Sequence, residues 1–145
     1  MRYSLADYIL SIKPNDSEIA AMFGTISIGG EGNYLDSITI DTNASLWSVQ
    51  GFATGAWVHN KNLDRSGSAT LSLSQLSDAV AKLKKLCLIS YVGDYDGFTL
   101  TLSNTKGELV ATCIDAQISK IPAQEYSETA ATQNWSFVCG KVIYE

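Results

Sequence analysis

The sequence is short of charge and of the residues that build catalytic and metal sites. Charged residues make up 17% of its 145 residues, and it holds two prolines, three cysteines and one histidine, His59. A lone imidazole, with no nucleophile or orienting carboxylate marked beside it, does not indicate acid–base or nucleophilic catalysis. Cys87, Cys113 and Cys139 are widely spaced and form no C-x-x-C pair, which is typical of buried thiols. We therefore expect no enzyme, no metal site and no cofactor.

Long apolar runs and clustered cations are missing as well. No run approaches the roughly 20 apolar residues of a membrane helix, and Met1–Leu5 does not resemble a signal peptide, so we expect no membrane partner and a cytosolic site of synthesis. Ten basic against fifteen acidic residues give a net charge of −5, which argues against a groove that grips phosphates. A duct through which nucleic acid slides is still allowed, because like charges repel.

The most regular pattern in the chain is the strict alternation of small polar and apolar residues from Ser66 to Ser74. Such alternation predicts a strand with one buried and one solvated face. The polar face would carry hydroxyl groups and no charge. It would be a smooth, non-adhesive wall if it faced a channel.

Elsewhere, short alternating segments between turn residues predict a mainly β fold with one helix. The further strands are expected at 3–13, 24–28, 34–41, 46–59, 98–103, 108–118 and 133–143. The helix follows Ser74 or Ser77, with one apolar stripe made of Leu76, Val80, Leu83 and Leu86. Residues 15–18 allow either a loop or a single helical turn.

Two local patterns lead to more specific expectations. The glycines of 29–33 predict a hairpin loop between the strands at 24–28 and 34–41. The segment 46–59 is long enough for one bent or bulged strand, with Gly51 and Gly55 as kinks. Its aromatic residues, Trp47 among them, are expected to act as packing anchors; the others are Phe52 and Trp57.

The length of the chain fits one domain spanning 1–145, and its scarce charge suggests that part of its surface is covered. A second copy of the same chain is the most economical cover. An alternative is a β-sandwich binding module, in which Trp47, Trp57 and Trp135 form an exposed platform for a sugar. Core tryptophans are the favoured interpretation.

The order of these features resembles the tail tube proteins of contractile-tailed, long-tailed bacteriophages. The resemblance rests on His59–Asn62 followed by Arg65–Leu73, on Ile118–Pro122 and on Trp135–Gly140. It extends from about Ser37 to Gly140. These are loose patterns of strand and turn residues, and none is diagnostic alone.

The resemblance implies a β-sandwich or half-barrel with one flanking helix, whose hairpins join into a ring-shaped barrel when the protein oligomerises. It implies a structural virion protein that stacks as hexameric rings into the inner tail tube, with DNA passing through the lumen without specific binding. The implied partners are further copies of the chain and the sheath, tape-measure and baseplate proteins. The protein would be assembled in the host cytoplasm and reside in the virion tail.

On that interpretation one set of polar residues lines the lumen, and the loop at 29–33 reaches the neighbouring ring. The expected lumen residues are Ser37, Thr39, Asp41, Ser66, Ser68, Thr70, Ser72, Asp115 and Gln117. The expected inter-ring loop is made of Gly29, Gly30, Glu31, Gly32 and Asn33. A tube-ring protein of a related secretion or contractile injection system would carry protein effectors with the same architecture, and the sequence barely separates the two.

Overall fold

The computed structural model describes residues 2–29, 35–93 and 96–144. A 3-10 turn at Leu5–Asp7 precedes the first strand. In chain order the elements are β1 (Tyr8–Pro14), α1 (Ser17–Phe23), β2 (Ile26–Ile28), β3 (Leu35–Thr42), β4 (Trp47–Gly51), β5 (Trp57–Lys61), β6 (Gly67–Ser74), α2 (Asp78–Val92), β7 (Phe98–Asn104), β8 (Leu109–Ile118) and β9 (Thr132–Tyr144).

Seven of these strands form one antiparallel sheet in the order β2-β1-β7-β8-β9-β6-β3, and β4 and β5 form a separate pair. The large sheet curls into a half-barrel. Its curl is visible in a small cavity of about 110 Å³, where Ile38 of β3 meets Tyr8 of β1 and Leu102 of β7. The predicted fold class, mainly β with a half-barrel, is confirmed.

The curl is built into the middle of β8 and β9. On β8 the buried residues Cys113 and Ala116 are separated by two exposed residues, and on β9 the same break lies between Cys139 and Val142. The pairing of β8 with β7 shifts at this point, and Asp115 has a positive φ of 57°. Bulges of this kind bend a strand and increase its twist, so the buried face of the sheet closes around a core.

The core lies between the inner face of the sheet and α2. The predicted stripe on this helix is largely confirmed, because Val80, Leu83 and Leu86 are buried. Leu76, in contrast, precedes the helix and is exposed. The largest fully buried side chains come from five strands and α2: Trp135, Phe137, Leu10, Ile12, Ile26, Ile28, Leu71, Leu73, Leu83, Leu86, Leu100 and Val142.

A second helix, α1, occupies the stretch that the sequence left undecided. The Asp16 carboxylate caps it by accepting a 2.9 Å hydrogen bond from the backbone N–H of Glu18. Gly24 ends it with a φ of 65°, a conformation that favours glycine. Ile19 is buried in the core, and this contact explains how seven residues hold a helical form.

The predicted hairpin between the strands at 24–28 and 34–41 is wrong. β2 pairs with β1, whereas β3 pairs with β6 at the opposite end of the sheet order. A glycine-rich loop permits a tight turn but does not choose the strands that pair, and here Ile26 and Ile28 are buried beside β1. Gly29 follows β2, and residues 30–33 of the expected loop lie outside the described residues.

The expectation of one bent strand at 46–59 is also wrong. β4 and β5 form a hairpin, which we call the arm. Gly55 lies in the turn between them and has a φ of 88°. All ten strand residues are exposed. Trp47, Phe52 and Trp57 are therefore not packing anchors of the subunit, since 54%, 47% and 66% of their surface is accessible.

Candidate functional site

Four neighbouring strands, β3, β6, β9 and β8, present a continuous polar surface on the face away from the core. We call this surface the polar wall. Its members are Ser37, Thr39, Asp41, Ser68, Thr70, Ser72, Asn134, Ser136 and Gln117.

The strand register brings these residues together in rows across the sheet. Ser37 lies opposite Ser72, which lies opposite Asn134, and the Ser72 hydroxyl donates a 2.6 Å hydrogen bond to Asn134 Oδ1. In the next row, Thr39, Thr70 and Ser136 are aligned in the same way. Side chains paired across strands in this way support one another.

A third row contains Asp41, Ser68, Val138 and Gln117. Val138 is the apolar member, and 53% of its surface is accessible. Asp41 brings the one ionisable group of the wall, and the wall contains no cation. A surface of this composition offers hydroxyls and amides without a positive charge that could hold phosphate groups.

Of the nine predicted lumen residues, seven lie in the three rows. Ser66 lies just before β6, where its hydroxyl accepts a 3.3 Å hydrogen bond from Asn43 Nδ2. Asp115 lies at the bulge of β8 beside Gly97 and Gly140, outside the three rows. Whether any of these residues faces a lumen remains a prediction about the assembled state.

Two wall residues, Asn134 and Ser136, were not among the predicted lumen positions. They alternate with the buried residues Gln133, Trp135 and Phe137. This is the same pattern that marked β6, and it is detectable from the sequence. What the sequence does not give is the pairing of β9 with β6, which places both strands side by side.

The arm has two unlike faces. The pairs Trp47–Lys61, Val49–His59 and Gly51–Trp57 place the aromatic and cationic residues on one side. We call this side the arm's apolar face. The Lys61 ammonium lies 5.5 Å from the centre of the Trp47 ring, and the His59 ring meets the same tryptophan edge-on at 6.5 Å.

An open cleft of about 410 Å³ lies at the base of the arm. Its apolar lining includes Leu46, Leu63, Val142 and Tyr144. Asp64 also lines the cleft, and hydrogen bonds from the backbone and side chain of Ser66 lower the pKa of its carboxyl group. The chain thus exposes both a protruding apolar element and an apolar recess.

The remaining candidates from the sequence are the three thiols and a possible metal or membrane site. The three thiols are buried, as predicted. Among residues 2–29, 35–93 and 96–144, no three metal-ligating side chains come together. No helix in that part of the chain is long and apolar enough to cross a membrane.

The three tryptophans do not form a common platform. Trp135 is fully buried in the core, as favoured from the sequence, and its indole N–H lies 3.3 Å from Gln133 Oε1. Trp47 and Trp57 are exposed together on the arm, so the core interpretation is wrong for these two. The three-tryptophan sugar site that the sequence left open is therefore not assembled.

Comparisons with known proteins agree with the resemblance found in the sequence. The profile of the bacteriophage PhiTE tail tube protein family matches residues 10–144. No curated protein sequence matches the chain.

Solved structures of contractile injection systems share the fold. The sheath-tube complex of the extracellular contractile injection system PVC, in its extended state, contains a chain with a TM-score of 0.56 and 16% identity, covering 100% of this chain and 92% of that one. The sheath/tube terminator of the same system has a TM-score of 0.56 and 15% identity, covering 100% of this chain and 97% of that one. The tube-terminating cap of the anti-feeding prophage has a TM-score of 0.52 and 14% identity, covering 100% of this chain and 93% of that one.

Proposed function

This chain belongs to the bacteriophage PhiTE tail tube protein family, and we propose that its copies form stacked hexameric rings, the inner tube of a contractile phage tail. DNA would pass through this tube into the host. The family is structural, and its members act by assembling. The subunit would be made in the host cytoplasm and end in the virion tail.

The observation that carries the proposal is the polar wall. Four strands present hydroxyl and amide groups on a surface where a protein of this size ordinarily mixes charges of both signs. With one carboxylate and no cation, the wall would let a polyanion pass without adhering. Such a surface suits the lumen of a tube through which DNA passes.

Ring closure would use the outer edge of β3. Ser37–Thr42 runs in uninterrupted register along β6, and no strand within the described residues pairs with the other side. That edge carries neither proline nor lysine, the residues that commonly protect exposed strands from pairing. Joining copies around a ring would satisfy these backbone groups and extend the polar wall into a closed barrel.

Stacking of the rings would use the arm. A two-stranded hairpin is marginally stable by itself, and this one exposes Trp47, Val49 and Trp57 on one face. A second copy that covers this face would bury apolar surface worth several kcal/mol, at about 25 cal/mol per Å². Inter-ring contact by residues 29–33 remains a separate proposal.

The outward face of the subunit would meet the sheath. α2 covers the inner face of the sheet, and its exposed side carries Lys82, Lys85 and Leu88. Three of the ten cations of the chain fall within residues 82–85 of this helix. Tape-measure and baseplate proteins would contact the lumen and the end of the tube.

A tube of an injection system is the second candidate, because the structural neighbours belong to such systems. The same wall would then pass a protein cargo. The genes beside this one separate the two candidates: tape-measure, baseplate and capsid genes indicate a phage, and effector genes without a capsid indicate an injection system.

The position of the wall can be tested by thiol labelling of assembled protein. Ser68→Cys puts a thiol on the wall, and Leu88→Cys puts one on the exposed side of α2 as the matched control. In assembled tubes we expect a small maleimide to label both variants and a large polymer-linked maleimide to label only Leu88→Cys. Equal labelling of both variants by the large reagent would contradict the lumen position.

Passage of DNA can be tested with cations on the wall. Ser68→Lys combined with Thr70→Lys adds two positive charges to each subunit, which is twelve in each six-membered ring. These charges would attract the phosphate groups of DNA. Phage carrying this protein should assemble tails but eject DNA poorly, whereas Thr129→Lys with Ala130→Lys, on the exposed segment between β8 and β9, should eject normally. Normal infectivity of the wall variant would contradict DNA passage along this surface.

A further inference from the structure

The single histidine of the chain lies on the arm's apolar face. His59 is opposite Val49 in the register, two residues from Trp57 and edge-on to Trp47 at 6.5 Å. Its side chain is exposed in the isolated subunit. An imidazole at the centre of an apolar contact surface changes that surface when it gains or loses its proton.

The charges around His59 are few and of one sign. From Leu46 to Lys61 the sequence holds two ionisable side chains, His59 and Lys61. β4, the strand that packs against β5, has none, and neither has the turn that joins them. The nearest carboxylates along the chain are Asp41 and Asp64, both outside the arm. A proton on His59 therefore adds a second cation to a face that has no counter-ion of its own.

We propose that His59 makes association of the arm with a second copy pH-dependent, so that subunits assemble at neutral pH and separate in mild acid. This proposal rests on the proposed function, in which a second copy covers the arm's apolar face. A neutral imidazole packs in such a contact as a flat aromatic ring. A protonated one must lose its water shell close to the Lys61 ammonium, and both effects oppose association.

The direction of the effect follows from proton linkage. The assembled form binds fewer protons at this site than the free subunit, so each arm that docks in mild acid releases a proton. Lowering the pH therefore favours free subunits, and raising it favours tubes. If the charged form is disfavoured by a factor of about ten, the critical concentration for assembly rises about tenfold in mild acid.

The test measures the critical concentration of the full chain by sedimentation at pH 8.0, 7.0, 6.0 and 5.0, at constant ionic strength. The variant His59→Gln keeps a polar neutral side chain, and His59→Arg keeps a permanent charge. The double variant His59→Gln with Asn60→His is the matched control, because it moves the imidazole to the opposite face of the same hairpin. Circular dichroism at each pH checks that the subunit remains folded.

We expect the critical concentration of the native protein to rise about tenfold between pH 8.0 and 5.0. His59→Gln and the double variant should assemble with little dependence on pH, and His59→Arg should assemble poorly throughout. Three results would overturn this inference alone. The critical concentration of the native protein could be independent of pH or fall in acid, or the pH dependence of the native protein could persist in His59→Gln. Absence of assembly in every variant at every pH would overturn the proposed function and the inference together.

Discussion

At the scale of single residues, the structure explains positions that the sequence pattern left undistinguished. Gly67 begins the alternating strand β6 and lies among its buried positions with Ala69, Leu71 and Leu73. A Cβ atom at Gly67 would overlap the carbonyl oxygen of Asp41 and lie 2.7 Å from Val142 Cγ2. The sequence marks Gly67 as apolar, but only the packing of β3 and β9 around it shows that a side chain is excluded.

We therefore expect Gly67→Ala to lower the free energy of unfolding by about 1–3 kcal/mol, because backbone must move to admit the methyl group. Gly51→Ala is the control, since no heavy atom lies within 4 Å of its added Cβ, and it should change stability by less than about 0.5 kcal/mol. Urea denaturation followed by circular dichroism measures both. If both substitutions change the free energy of unfolding by less than about 0.5 kcal/mol, the methyl group is accommodated at Gly67 without loss of stability, which would contradict this prediction.

The three thiols should be unreactive in the folded subunit. Burial raises the pKa of Cys87, and the hydrogen bond with Cys113 together with burial raises the pKa of Cys139. The same hydrogen bond lowers the pKa of Cys113, so the protection of this thiol rests on its complete burial. A raised pKa lowers the thiolate fraction at pH 8, and the thiolate is the reactive form. An aromatic disulfide reagent should modify all three cysteines in denaturant and do so at least about 100-fold more slowly in native protein. A native thiol that reacts as fast as free cysteine would contradict this.

At the scale of elements, the sequence predicted most strands and the long helix, because alternation and helical periodicity are local signals. The strands at 66–74, 98–103, 108–118 and 133–143 all correspond to observed strands. It did not predict which strands pair, because pairing depends on burial across the whole sheet. It also misjudged the arm, since an exposed aromatic hairpin has the composition of a buried strand.

The arm provides a prediction at this scale. Trp57→Ser should leave the stability of the subunit within about 0.5 kcal/mol, because the side chain is exposed. It should weaken self-association by about 2 kcal/mol or more, roughly 30-fold, as expected for a central aromatic residue of an interface. Sedimentation of the assembled fraction measures the effect.

Val58→Thr is the control for this substitution, because Val58 lies on the opposite face of the same hairpin and 46% of its surface is accessible. It should leave association nearly unchanged. If Val58→Thr weakens assembly as much as Trp57→Ser, the contact is not confined to the arm's apolar face. If neither substitution has an effect, the arm does not join copies.

At the scale of the whole molecule, the polar wall, the open edge of β3 and the exposed arm lead to one account of a subunit built for assembly. The alternation in the sequence predicted the hydroxyl-bearing strand, and the family resemblance grouped Ser37, Thr39 and Asp41 with it; the structure shows that the two strands pair. The contribution of β9 and the position of the arm were not, since both depend on contacts between distant parts of the chain. Low charge becomes understandable when copies cover one another's surfaces.

Electron cryomicroscopy of the purified protein at high concentration tests the central claim most directly. The account predicts stacked rings with an open centre, in which β3 of each subunit pairs with its neighbour and Thr39, Thr70 and Ser136 face the axis. Solitary particles at every concentration, or rings in which those residues point outward or are buried, would contradict it.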